Sequence, residues 1–229
     1  MIEIKDLLNL DKTIAKDIFK NKDFPWEVLD DIKSFIMELG KTLSTDEFDN
    51  PSEGVWIAKD ATVFPSAYIG SPCIIDHGAE IRHGAFIRGS AIIGKNVVVG
   101  NSVELKNVIL FDNVQVPHYN YVGDSILGYK SHMGAGSITS NVKSDKTLVK
   151  IKGDDICIET NRKKVGAVLG DYVEVGCNTV LNPGTIICRN SNIYPTSNVR
   201  GIIPPNSIYK NENNIIQKNI CEENNSTTK

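Results

Sequence analysis

The sequence predicts a mainly β protein: a solenoid of parallel strands wound from a single chain, preceded by a small N-terminal helical segment. Three observations carry this. Large apolar residues recur at every sixth position, at Ile57, Val63, Ile69, Ile75, Ile81, Ile87, Ile93, Val99, Leu105 and Phe111. A small residue usually stands four places after each, as at Ala61, Ala67, Cys73, Ala79, Ala85 and Ala91. The same spacing returns at Leu169, Val175, Leu181, Ile187, Ile193 and Val199. A helix needs apolar residues every 3.6 positions and a half-buried strand needs every second one, so a period of six fits neither. It fits a coil with flat sides, one short strand per six residues and a corner after each, three sixes closing a triangular turn of about 18 residues.

Each part of the chain follows from its own pattern. Corners fall at residues that tolerate positive φ, such as Gly70, Asp76, Gly94, Gly100, Asp112, Gly170 and Asn182. Residues 1–53 read differently, as a helical segment and linker. There "WEVLDDIKSFIMELG" sets Trp26, Val28, Leu29, Ile32, Phe35, Ile36 and Leu39 on one face, with Gly40 as C-cap, which predicts an amphipathic helix. A shorter helix is expected over 13–20, and "DEFDNPSEG", Asp46 to Gly54, is read as linker. The helical segment is expected to cover the open end of the coil or to pack at a subunit contact. The coil occupies 54–210 and is interrupted near 148–168, where alternating apolar runs around Gly153, Asp154 and Asp155 predict a protruding hairpin. Residues 211–229 are a polar tail, its last residues expected to be disordered.

Composition narrows the function. Lys and Arg number 25 against 28 Asp and Glu, a formal charge of −3, which argues against general nucleic-acid binding because that requires a basic excess. The five cysteines are scattered without a CxxC pair, and no secretory apolar region follows Met1, so a reduced, cytoplasmic protein is expected. No apolar run approaches the roughly 20 residues of a membrane span.

Residues one turn apart stack about 4.8 Å from each other, the distance between neighbouring strands. Arg88 and Lys106 both follow a large apolar residue of the series and therefore share a corner on successive turns. Like charges stacked on a ladder repel, so the pair points either to an anion between them, a phosphate being the natural candidate, or to long side chains that splay apart into water. Glu104 could supply compensating charge or bind a sugar amine. Of the four histidines, His77 and His83 read as exposed corner residues. His118 stands where the series fails, beside Pro117 at the expected aliphatic place. Imidazole, with an unperturbed pKa of about 6.5, suits removal of a proton from an ammonium group.

"GNSVELKN", "PHYNYVGDS" and "GAGSITSN" occur in the order and spacing of one family. Over residues 57–210 the chain resembles the acetyltransferase domain of the bifunctional glucosamine-1-phosphate acetyltransferase and N-acetylglucosamine-1-phosphate uridylyltransferase, with its archaeal sugar-1-phosphate relatives. The resemblance implies a left-handed parallel β-helix of hexapeptide repeats. It implies His118 as general base, Tyr121, Arg88 and Lys106 as sugar-phosphate contacts and Asn141 as an amino-sugar contact. Lys146, or Lys143 by the local spacing, matches a lysine donated to a neighbouring subunit. His132 stands where the family has an asparagine and Cys177 where it has a serine near acetyl-CoA. The implied reaction is N-acetyl transfer from acetyl-CoA to an amino-sugar 1-phosphate, with a backbone N–H among Gly134, Ala135 and Gly136 stabilising the oxyanion, in a homotrimer without metal. Cys177 is otherwise read as a small corner residue. No glycine-rich nucleotidyltransferase loop precedes the coil, so uridylyl transfer is not expected. Two rival readings are a non-catalytic sugar-phosphate or nucleotide-sugar binder and a γ-carbonic-anhydrase-like metalloenzyme, the latter lacking the paired histidines five residues apart.

Overall fold

The computed structural model describes residues 2–153 and 156–218. The chain winds as a left-handed parallel β-helix of about eight turns. Its inward ladder follows the six-residue series through Leu105, stacking Ile57, Ile75 and Ile93 on one side, Val63, Ile81 and Val99 on the second, and Ile69, Ile87 and Leu105 on the third. Beyond Leu105 the count changes. Ile93 pairs with Leu110 and not Phe111, Val99 with Val116, and Leu105 with Val122, 17 positions on. One corner has lost a residue, and Asn107 turns it at φ 56°; Asp124 does the same on the next turn at 48°. The rhythm therefore does not break at Pro117, because Val116 holds the inward place.

The three sides of the coil differ outside. On the first, the outward residues Ile74, Ile92, Ile109, Ile126, Val168 and Ile186 are as buried as their inward neighbours. The N-terminal segment covers them. Leu7 O accepts from Asp171 N–H (2.9 Å) and Lys12 O from Asp112 N–H (3.0 Å). Asn107 Nδ2 donates to Leu29 O (3.1 Å), and a helix over Ile32–Gly40 lies on the early turns. Burying each outer aliphatic contributes about 1.5–3 kcal/mol, so this segment holds the flank of the coil and does not plug its open end. The free edge of the first turn is covered by Phe48–Ser52, which pairs antiparallel with Val55–Ala58 inside the stretch read as linker.

The predicted helix from Trp26 is instead a 3₁₀ turn at Pro25–Val28 followed by the helix from Ile32. The carbonyls of Glu27 and Leu29, which would accept from Asp31 and Lys33 in a continuous helix, accept from Arg162 and Asn107. The shorter expected helix is a 3₁₀ turn at Lys16–Phe19. The excursion near 148–168 carries antiparallel strands Lys150–Lys152 and Cys157–Glu159, and the coil has resumed by Ala167–Leu169. Asp154 and Asp155, and the tail from 219 on, lie outside the described residues. Asn214–Gln217, in the stretch read as polar tail, pairs antiparallel with Ser207–Asn211. No helix among the described residues is long and apolar enough to cross a membrane.

The second side is polar, with Thr62, Glu80, Gln115, His132 and Glu174 outward. The third presents Tyr68, Phe86, Glu104, Tyr121 and Ile138 in register on successive turns. This aromatic side carries the candidate site.

Candidate active site

His118 ends the strand Gln115–His118 at the corner where the polar side gives way to the aromatic one. Gly100 lies directly behind it, where a Cβ would stand 1.6 Å from Pro117 O, so only glycine admits this approach. The His118 N–H donates to Asn120 Oδ1 (3.2 Å) and its carbonyl accepts from Gly136 N–H (3.0 Å). Its imidazole is exposed and makes no hydrogen bond among the described residues. Asn120, buried, donates Nδ2 to Gly134 O (2.8 Å) and Ser137 O (3.0 Å), tying the His118 corner to the next one. Cys177 stacks beyond Gly134 on the same corner: a Cβ at Gly134 would meet the Cys177 N at 2.7 Å. Of the three amides that could receive an oxyanion, Gly134 N–H donates to Val175 O and Gly136 N–H to His118 O. The Ala135 N–H has no acceptor among the described residues.

Arg88 and Lys106 border the far edge of the same side. Each has a carboxylate partner from another turn. Arg88 Nη1 bonds Glu104 Oε1 (2.9 Å), and Lys106 Nζ bonds both oxygens of Asp124 (3.0 Å each). The Glu104 carboxylate holds the Arg88 guanidinium above its ordinary value. Asp124 is buried and also accepts from Asn107 Nδ2 (3.0 Å) and Asn141 Nδ2 (2.5 Å), while Asn141 reaches Tyr121 Oη at 3.3 Å. The Tyr121 ring lies across Gly123, whose missing Cβ would fall 2.4 Å from the phenol oxygen. Burial first, then the Asp124 and Glu104 carboxylates, push the Tyr121 hydroxyl above the usual phenol range.

The structure thus joins Lys106, Tyr121 and Asn141 through Asp124 in one network, sets the Arg88–Glu104 pair alongside it, and places His118, Gly134, Ala135 and Cys177 on one corner beside them. His132 belongs to neither. It lies on the polar side, where Nδ1 meets Glu174 Oε2 at 2.8 Å, because its strand stacks on Gln115 and not on Tyr121. Lys146 sits at φ 56° in an exposed loop with no side-chain partner among the described residues, and Lys143 pairs with Asp145 (3.3 Å). Sequence reasoning missed Asp124 and Asn120. The 18-residue step that links Arg88 to Lys106 reaches Asp124 next, which was the available signal. Asp124→Asn is expected to lower stability by about 1.5–3 kcal/mol, the loss of hydrogen bonding to a charged group, read as an earlier denaturant midpoint.

All of these residues fall inside residues 68–203, the stretch matched by the family model of the GMPPB C-terminal domain, more than half of the chain. The chain belongs to the GMPPB C-terminal domain family. Among individual relatives, the bifunctional protein GlmU of Methanococcus maripaludis is 35% identical over 113 residues, covering 48% of this chain and 27% of that protein. The bifunctional sugar-1-phosphate nucleotidylyltransferase/acetyltransferase of Sulfurisphaera tokodaii is 33% identical over 87 residues, 38% of this chain and 22% of that one. This member of the GMPPB C-terminal domain family therefore spans about a quarter of the length of the relatives it matches. Among solved structures, the acetyltransferase domain of PglB from Neisseria gonorrhoeae in complex with acetyl coenzyme A is similar at 16% identity, covering 70% of this chain and 56% of that one, with a TM-score of 0.31. Among the described residues no group of three or more His, Cys, Asp and Glu gathers as a metal site.

Proposed function

We propose that the chain is an acetyltransferase that moves the acetyl group of acetyl-CoA onto the amine of an amino sugar bearing a phosphate at C1, glucosamine 1-phosphate being the simplest such acceptor. One observation carries the reading: an imidazole without a hydrogen bond among the described residues and two cations, each held by a carboxylate, border the two edges of one side, in a chain similar to a protein named as a sugar-1-phosphate nucleotidylyltransferase/acetyltransferase. The phosphate is received by Arg88 and Lys106, with Tyr121 and Asn141 against the sugar. His118 takes a proton from the ammonium, and the freed amine attacks the thioester carbonyl. The tetrahedral oxyanion is met by the Ala135 N–H. On its collapse the C–S bond breaks, the His118 imidazolium gives its proton to the departing sulfur so that coenzyme A leaves as the thiol, and the extra proton on the new amide nitrogen passes to the freed imidazole and on to water. Cys177 forms no bond in this scheme. The site is completed between copies of a trimer, to which Lys146, exposed and without a side-chain partner among the described residues, contributes.

The test is incubation of the purified chain with acetyl-CoA and, separately, glucosamine 1-phosphate and galactosamine 1-phosphate, following thiol release and product mass. An acceptor-dependent release with a product heavier by one acetyl group is expected. Calorimetry showing no binding of acetyl-CoA, together with no release for any C1-phosphorylated amino sugar, would remove the proposal.

A further inference from the structure

Tyr68 and Phe86 are exposed aromatics, at 60% and 42%, lying edge to face with ring centroids 5.4 Å apart. They stand in register with Glu104 and Tyr121 on successive turns of the same side. The proposed chemistry does not use them. The polar side, by contrast, carries Thr62, Glu80, Val98 and Gln115 at its equivalent outward places.

Their order along the coil has a chemical meaning. His118 and Tyr121 belong to one turn, Glu104 and Lys106 to the turn before, Phe86 and Arg88 to the next, and Tyr68 to the one beyond. Phe86 and Arg88 are two apart in sequence and so project to the same side of their strand. A sugar with one phosphate, set with its amine at His118, ends at the cations. Two cations on successive turns, about 4.8 Å apart, match two linked phosphates better than one. Arg88 gives only Nη1 to Glu104, so further donors remain for the second phosphate. Past it the strip offers exposed ring faces, which stack on a planar base.

Building on the reading above, we infer that the acceptor is a nucleoside diphosphate amino sugar, its base stacked on Tyr68 and Phe86 and its diphosphate held by Arg88 and Lys106. The test is binding alone, so that it stands apart from any failure of acetyl transfer. Calorimetric titration of the full chain with UDP, GDP and dTDP is compared with titration by inorganic pyrophosphate. At least one nucleoside diphosphate is expected to bind on the order of tenfold more tightly than pyrophosphate, the size of one base–aromatic stack. Tyr68→Ala and Phe86→Ala are expected to erase that margin, and Tyr68→Trp to keep it. Equal affinities for pyrophosphate and all three nucleotides would overturn the inference. So would aromatic-to-alanine variants that keep the margin while lowering the mass of the assembly in sedimentation, since the strip would then be a contact between copies of this chain.

Discussion

His118→Ala is expected to lower kcat for acetyl transfer by about 10²–10⁴-fold, the usual contribution of a positioned general base, with little change in the KM for acetyl-CoA. Stability should move by no more than about 0.5 kcal/mol, because the imidazole is exposed and holds no hydrogen bond among the described residues. That combination separates a base from a structural histidine. His83 provides the control: it lies at the same corner two turns earlier, its Nδ1 engaged with Ser66 Oγ (2.5 Å), and its alanine variant should retain turnover. Steady-state kinetics on both proteins, with melting curves alongside, give the answer. Turnover of the His118 variant within twofold of the parent would show that another group takes the proton.

The inward ladder was legible because a solenoid repeats one demand: each turn must bury a large aliphatic at the same place, and a strict period survives any single substitution. The lost residue between Leu105 and Leu110 was not legible, since Val108, Ile109, Leu110 and Phe111 are all apolar and a six-residue step lands on Phe111 without apparent error. The covered flank did leave a trace. Its strands Cys73–Ile75, Ala91–Ile93, Ala167–Leu169 and Thr185–Ile187 bury all three residues, where a side facing water would alternate. The early end of the long helix was hidden, because it depends on Arg162 and Asn107 reaching back 135 and 78 positions. In the site, period arithmetic placed Arg88 over Lys106 correctly but said nothing of their partners. Which carboxylate each meets depends on side chains crossing between turns of unequal length.

Phe111→Ala is expected to destabilise the chain by about 3–5 kcal/mol, lowering the melting temperature by roughly 6–20 °C. Phe111 is fully buried, but outside the inward ladder, and its ring meets that of Phe19 edge-on at 5.9 Å and 65°. It therefore joins the N-terminal segment to the coil. Removing it opens a cavity between two backbones already tied by the Asp112 N–H to Lys12 O bond, which limits how far the gap can close. Phe64→Ala makes the same chemical change at a position 40% exposed on the coil, where the loss should stay within about 0.5 kcal/mol. A double-mutant cycle with Phe19→Ala is decisive for the packing. Rings in edge contact should show a coupling of about 0.5–1.5 kcal/mol, since each single variant already removes the shared contact. Zero coupling, with Phe111→Ala still costly, would show that the ring packs against the coil alone and draws nothing from Phe19.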